Sequence, residues 1–565
     1  MRIAVVPDGE GGGRLCELGS DAVSPGDFWH VSDLAGVIAD YEAHSAEPPR
    51  WVWSATEDVY PPLVEHMLRV GRCHDVTLVE ALLLGYEGHF GQGRSLGAAW
   101  ARLHGREAPV EPGHREAMVA PRPPMLFTPD RSLLPAGVDQ LAALVEVHAD
   151  QLRRIASVEH PERFALLAAV ESAGALTAVE MSNDGVPWRA DVHDELLTQH
   201  LGPRPLGGGR PPVLVELEER INEAFGLGRS VNPDSPAQVL EAFQEIGYPL
   251  PSTRSWVLSR VDHPVVPLLL RYKELSRLYT SHGWAWLERW VRHGRFRPDY
   301  VVGGVVSGRW ATRGGGAQQI PKLVRRAVIA DPGWRLVTVD AGQLEPRILA
   351  AVSGDRRLAE AAADSDLYTW LAGAFGGDRD RAKLAVLAAM YGQREGDAAA
   401  SLRTMRRFFP RAMEYLDNAA RAGKQGRLVR SWLGRTCPPP SPLWQRSGGA
   451  SPRQPPSAHG VPSRAVAERG RFTRNFVIQA TAAEWALVFM AGVRRRLSEI
   501  EASPAAPQLV FFQHDELVLH VPQTLVSETV AALREAELET RRLLFGRVDL
   551  RFPLDIAIVE CYADA

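Results

Sequence analysis

The chain has 565 residues, of which 45% are apolar and 23% charged, which is too long for a single hydrophobic core and has the balance of a soluble globular protein. Two or more domains are expected. A formal net charge of −4 argues against a protein that coats nucleic acid non-specifically, but it leaves room for local basic surfaces. No apolar run stands out as long enough to cross a bilayer, and the opening MRIAVVPDGEGGG reads as a strand and turn, not a leader, so a cytoplasmic protein with no membrane partner is expected. Cys16, Cys73, Cys437 and Cys561 lack the paired spacings of a zinc site or disulfide framework and read as reduced thiols.

Short apolar runs (RIAVVP, RWVWSA) alternating with helical stretches (PPLVEHMLRV, VTLVEALLLG) predict a small mixed sheet with helices at the start of the chain. After the Pro-rich EAPVEPGHREAMVAPRPPMLFTP, the helix near VDQLAALVEVHADQLRRI is expected to pack back on that sheet and close a first domain at about residue 157. From residue 158 the pattern is largely helical. Asn232, Asp234 and Ser235 are candidate helix starts before AQVLEAFQEIG, and Lys273 and Arg277 share a helix face that could follow a duplex backbone. The segment 437–461 is rich in Pro, Ser and Gly and reads as a mobile insertion. Arginines cluster at 289, 292, 295 and 297, at 325 and 326, at 403, 406 and 407, and at 464, 469, 471 and 474; each cluster alone also reads as a solvated face.

The chemistry is expected in three places. A buried strand, Leu336 to Val339, delivers Asp340 at its end before a helix near Leu344. QLVFFQHDELVLHVP reads as a β-hairpin whose tight turn holds His514, Asp515 and Glu516. Two such carboxylates on neighbouring strands could hold two Mg²⁺ ions about 4 Å apart, as nucleotidyl transfer requires. Third, Arg379, Lys383, Leu387 and Tyr391 recur every four residues in RDRAKLAVLAAMYG, so two cations and an aromatic lie along one helical face suited to a triphosphate.

In order, VDAGQLEPR, RDRAKLAVLAAMYG and QHDE resemble motifs A, B and C of family A DNA polymerases, the family typified by bacterial DNA polymerase I. SGRWATRGGGAQQIP and RFTRNFVIQATAAEWA resemble two further blocks of that family, upstream of motif A and between motifs B and C. The resemblance implies an α/β and α+β multidomain chain: an RNase H-like exonuclease-type domain over 1–157, then a right-hand polymerase over 158–565. Within the latter it implies a palm (about 158–230, 299–350 and 476–565), a thumb (about 231–298) and fingers (about 351–475). It implies metal binding by Asp340 and Asp515 with Glu516 in support, and nucleotide binding by Arg379, Lys383, Leu387, Tyr391, Gln343 and Glu345, the last crowding a ribose 2′-hydroxyl. Arg309, Gln318, Gln319, Arg471, Asn475, Gln479 and His514 would contact DNA. The implied cofactor is Mg²⁺, two ions, with Mn²⁺ able to substitute; the partners are primer-template DNA and dNTPs, and the protein a monomer associated with the bacterial nucleoid. A repair or gap-filling role follows, with a catalytically weak DNA-binding paralogue, a polymerase of relaxed sugar selection and a single-subunit RNA-making polymerase as the alternatives.

The chain departs from the family at Ala341 and Gly342, which replace Tyr-Ser, at Pro346, and at Leu387, where the family has an aromatic ring. The exonuclease motifs are also altered. Ser54 and Asp58 stand where the family has Asn and Asp, Pro135 and Asp139 replace its Tyr and Asp, and Asp8 and Glu10 form a DxE in a Gly-rich turn. The first domain is therefore expected to keep its fold and to have lost proofreading. No 5′ nuclease precedes it in this sequence, so flap removal is expected to fall to another protein.

Overall fold

The computed structural model describes residues 1–19, 25–111, 132–364, 366–392, 397–441, 444, 464–500, 505–546, 548 and 550–565. Most of the 437–461 insertion, and most of the Pro-rich segment before Asp139, lies outside them. Contacts divide the chain into two compact units. The first comprises Met1–Asp184, Asp299–Arg313 and Val337–Ala557, and the second Gly185–Pro298, Gly314–Leu336 and Ile558–Ala565.

In the first unit, strands β1 (Arg2–Pro7), β2 (Gly13–Leu18), β3 (Pro25–Val31), β4 (Arg50–Trp53) and β5 (Arg72–Asp75) form a mixed sheet of order β3-β2-β1-β4-β5. The first three strands are antiparallel, while β1, β4 and β5 run parallel. One face buries Leu141 and Leu144 of the helix Gln140–Ser157 against Ala4, Cys16 and Val52, as the helical period of that segment predicts. On the other face Trp51, Trp53 and Tyr60 pack with Leu176 of the helix Pro161–Asp184.

Two acidic residues of the exonuclease-like motifs, Asp8 and Asp139, have structural duties, and so does Asp75 at the end of β5. The Asp8 carboxylate accepts hydrogen bonds from the backbone N–H groups of Glu10 and Gly12, which closes its own turn. Asp139 caps its helix by accepting from Ala142 and pairs with Arg14. Asp75 is buried, accepting from the backbone of Thr56 and Leu78. Cys16, Cys73 and Cys437 are buried and all four cysteines are free thiols.

Two buried histidines on this sheet give a pH dependence. The His74 Nε2–H donates to the Gln151 Oε1 at 2.9 Å, while neither ring nitrogen of His148 has a partner among the described residues. Burial pushes His74 down to about 4 and His148 to about 2, with the nearby Arg2 and Arg50 acting in the same direction. Both histidines are therefore neutral when folded and protonate near 6.5 when unfolded, so stability present above pH 6.5 is lost as pH falls toward 4. The slope is about 1.4 kcal/mol per pH unit for each ring. Asp75, raised to about 6 by burial, acts in the opposite sense. The contribution of His148 is thus read as the difference in urea midpoint between wild type and His148→Phe: the variant should lose less stability between pH 6.5 and 5.

The rest of the first unit is built on a second sheet. β11 (Trp334–Ala341), β12 (Gln508–Gln513), β13 (Glu516–Pro522) and β14 (Leu554–Val559) lie in the order β12-β13-β11-β14. Against it lies the helix Pro161–Asp184, on which the helix Arg464–Glu499 packs in turn; their 18-residue apolar windows are 72% and 83% buried. By length and composition both could cross a membrane, which corrects the expectation that no apolar stretch reaches that length. Their burial shows that they serve as core helices here. Tyr60, Glu180 and Arg494 tie the segment before β5 to the two long helices: the tyrosine hydroxyl donates to Glu180, and Arg494 donates to Glu180 and to the backbone carbonyls of Val70 and Gly71.

The second unit contains the helices Ala190–Leu201, Pro212–Phe225, Pro236–Glu245 and Val265–His282. Ser235 does cap the third, accepting from Gln238 at 3.4 Å. Lys273 turns inward and donates to the carbonyl and hydroxyl of Thr253, so its expected role along a duplex does not fit its geometry. A small antiparallel sheet of β6 (Val186–Pro187), β7 (Val291–Arg292) and β8 (Arg295–Phe296) completes the unit in the order β6-β8-β7.

Candidate active site

Strand alternation explains how Asp340 reaches the surface. Residues 336–339 are buried, Asp340 is exposed, and Ala341 is buried again. β13 is the neighbour of β11 in the sheet, and the turn that begins it carries Asp515; the Ala341 N–H donates to the Asp515 carbonyl at 3.3 Å. The hairpin turn is tighter than expected, since Gln513 and Glu516 pair across it and only His514 and Asp515 form the loop. His514 has φ of 60°, in the left-handed region where His is tolerated more readily than bulky residues.

The two aspartates share an electrostatic field. Although Asp340 reaches solvent, the protein packed around it displaces enough water to lift it to about 6, and the charges acting most strongly on it, Asp515, Glu516 and Asp555, are all negative and raise it further. Asp515 is raised too, by burial first and by Glu516, against the pull of its own backbone N–H and of Arg309. Asp555 on the edge strand β14 was not anticipated; its position in the alternating run LDIAIV marks it only as an outward polar residue. Among the described residues no three His, Cys, Asp or Glu side chains close into a metal cage. A pair of mutually repelling carboxylates within a wider acidic field nevertheless fits a divalent cation, whose charge would reverse the rise.

Beside this pair, Glu345 is held at both oxygens. Arg309 donates to Oε1 at 2.8 Å and the Tyr391 hydroxyl donates to Oε2 at 3.1 Å. Arg309 is positioned by its neighbour Trp310, which is buried edge-on against Phe512 and rests over Gly174 where a Cβ would come within 3.1 Å of the indole. Tyr391 also interacts with Gln479 from the helix Arg464–Glu499. Arg309, Glu345, Tyr391, Gln479, His514 and the aspartates therefore form one neighbourhood, with Arg309 acting on both His514 and Asp515.

The helix Arg379–Tyr391 forms as its spacing predicts, capped by Asp378. Lys383 is exposed on it, and Leu387 is half-buried against the core. Arg379 is not poised alone for a ligand: its Nε donates to Asp366 at 2.8 Å. Asp366 also accepts from Thr369 and from the Gln343 amide, and these hydrogen bonds hold its carboxyl well below the usual range despite burial. Gln343, with φ of 58°, accepts in turn from the Leu367 N–H, so its amide bolts two helix starts together. Asp366 was legible only as a helix cap. Asn475 has a buried Oδ1 with no partner among the described residues, and Arg471 lies exposed against Gly392. Gln318 and Gln319 belong to the 3-10 turn Ala317–Gln319 of the second unit.

Two buried arginines were also missed. Arg347, fully buried, donates to the carbonyls of Gly342, Ala362, Asp364 and Arg551, which fixes the loop after Asp340. Arg474 donates to the Ala389 carbonyl and to Asp417, tying the helix Arg464–Glu499 to the Arg379–Tyr391 and Pro410–Lys424 helices. The sequence signal for both was weak, because an arginine in a helix usually faces water.

The sequence model of DNA polymerase family A matches residues 213–560. The chain belongs to DNA polymerase family A. It is 28% identical over 374 residues to DNA polymerase I of Chloroflexus aurantiacus, covering 61% of this chain and 36% of that protein. It is also 28% identical over 389 residues to the thermostable DNA polymerase I of Thermus filiformis, 61% of this chain and 42% of the relative. The family A protein described here thus spans well under half the length of these relatives. Its fold resembles the solved POL domain of Pol1 from M. smegmatis in complex with DNA primer-template and dNTP, with a TM-score of 0.71 at 18% identity, covering 100% of this chain and 96% of the other.

Proposed function

We propose that this protein is a template-directed DNA polymerase that adds dNTPs to a primer 3′-hydroxyl, in repair or gap filling. The observation that carries the reading is the convergence of Asp340 and Asp515 on adjacent strands in one acidic field, beside the Glu345 and Tyr391 network. Family A polymerases generally use divalent metals, and Asp340 and Asp515 would hold two Mg²⁺, with water and substrate oxygens completing the shells. When bound, these ions would make the primer hydroxyl a better nucleophile and neutralise charge on the leaving pyrophosphate.

The side chains supply the rest. Lys383 offers an exposed cation to a triphosphate, and Arg379 would join it by exchanging Asp366 for phosphate oxygens. Asn475 brings a buried acceptor and Gln479 an amide toward the primer end or the minor groove edge, where correct pairs look nearly alike. Glu345, held by Arg309 and Tyr391, is a fixed wall for the sugar and would crowd a 2′-hydroxyl.

Primer extension tests the reading: dNTPs should extend a primer with Mg²⁺ or Mn²⁺ and rNTPs should not, whereas no extension with either metal would leave only a DNA-binding scaffold. Glu345→Ala should narrow the preference for dNTPs over rNTPs by about 10- to 100-fold, the scale of removing one pocket contact. An unchanged ratio of kcat/KM values would remove Glu345 from sugar selection.

For residues 1–157 we keep the reading of an RNase H-like domain without proofreading, followed by palm, thumb and fingers. The mixed sheet supports the fold, and the structural duties of Asp8, Asp75 and Asp139 support the loss. A mismatched primer terminus should therefore survive incubation with Mg²⁺; trimming that disappears in Asp58→Ala would overturn this.

A further inference from the structure

Within the second unit a cleft of about 600 Å³ opens beneath the β7–β8 hairpin. Four arginines from three chain segments line it, Arg189, Arg295, Arg297 and Arg335, together with Trp188 and Trp334. Only two carboxylates do so, Asp331 and Glu560, and these are already matched by Arg295 and Arg335. The remaining arginines keep polar contacts as well: Arg189 pairs with Asp191, and Arg297 donates to the Arg292 carbonyl at 3.3 Å. Both side chains of the Arg189 pair are more than half exposed, so that pair is worth little and an anionic ligand could exchange with it.

The hairpin over the cleft carries two destabilising features. Arg292 and Arg295 are directly opposed across it, a like-charge pair that costs stability in a ladder. His293 at its tip has φ of 53°, a left-handed conformation for a non-glycine residue. An anion resting on the hairpin would relieve the repulsion. Basic residues also stand outside the cleft: the exposed Arg292 faces Arg295 across the hairpin, and the exposed Arg289 lies on the helix Trp284–Trp290 that leads into it. A single small anion fills only the cleft, whereas a chain of phosphodiesters meets both.

We infer that this cleft and its hairpin form a binding site for the phosphodiester backbone of a polynucleotide, with the arginines contacting phosphates. The recognition is by charge, so sequence preference is absent and salt dependence steep.

The test uses the full chain and a fluorescein-labelled oligodeoxythymidylate, with anisotropy measured over a range of KCl. Arg292→Glu/Arg297→Glu should weaken binding at least about tenfold and reduce the slope of log K against log salt by about 1.4, the share of two single-strand phosphate contacts. Arg292→Lys/Arg297→Lys should restore most of it, and circular dichroism melting should match wild type, which separates lost contact from lost fold. Reversing Arg220 and Arg260, exposed arginines of the same unit outside the cleft, should leave the slope within half a unit of wild type. An equal loss in that control, or an unchanged slope in the first variant, overturns the site. So does displacement of the oligomer from wild type by pyrophosphate at constant ionic strength, which would make the cleft a small-anion pocket. The assay needs no turnover: binding here without primer extension would sink the polymerase reading and leave this one standing.

Discussion

Asp340→Asn and Asp515→Asn should each reduce primer extension by at least about 10³-fold, because a carboxylate that holds a catalytic ion supports several kcal/mol of charge stabilisation in the transition state. The fold should not suffer. Asp340 already sits among Asp515, Glu516 and Asp555 with its carboxyl raised to about 6, so a neutral amide removes repulsion and the Tm should hold or rise. This opposition of lost activity and kept stability distinguishes a catalytic carboxylate from a structural one. Extension within tenfold of wild type by either variant would remove that residue from the reaction. Asp555→Asn is the useful companion: it should lower activity far less, since its influence reaches Asp340 through charge alone.

Glu180→Ala should destabilise the protein by about 3–5 kcal/mol, the usual cost of leaving a buried charge without its partner. Glu180 is 4% exposed, and its loss leaves the Arg494 guanidinium without its carboxylate and deprives the Tyr60 hydroxyl of its acceptor. Burial alone would raise this carboxyl, but Arg494, Arg69 and Tyr60 hold it below its ordinary value. Urea denaturation is the measurement, and a shift below about 1 kcal/mol would show that water replaces the network. The double variant Glu180→Leu/Arg494→Met should recover a large part of the loss, because a packed apolar pair removes both charges together.

The elements that the sequence revealed best were those whose pattern and chemistry agree. β11 was legible because four buried residues end in one exposed carboxylate, and the Arg379–Tyr391 helix because its cap and period coincide. Glu345, Asp515 and Tyr391 were legible as motif positions, but their joint network was not, since it requires Arg309 from a segment more than thirty residues upstream in sequence. The role of Asp366 was hidden for a related reason. Its local pattern says helix start, and only the tertiary arrangement adds Arg379 and Gln343 to the same carboxylate. Lys273 misled because helix periodicity gives a direction and says nothing of the Thr253 loop that folds over it. The long apolar helices were underestimated because scattered charged residues interrupt their composition, although the polar groups Glu180 and Glu484 are buried and bonded.

The helix Pro161–Asp184 has no solvent side over much of its length: Leu176 packs with Trp51, Trp53 and Tyr60, while Phe164, Leu167 and Met181 belong to the larger core around the second sheet. Removing residues 1–157 would therefore take away the aromatic side chains that cover Leu176 and turn a core helix into a sticky surface. A shortened chain should aggregate even with its acidic pair intact. The amino-terminal sheet thus covers an apolar helix face that would otherwise meet water, a structural duty independent of any chemistry of its own.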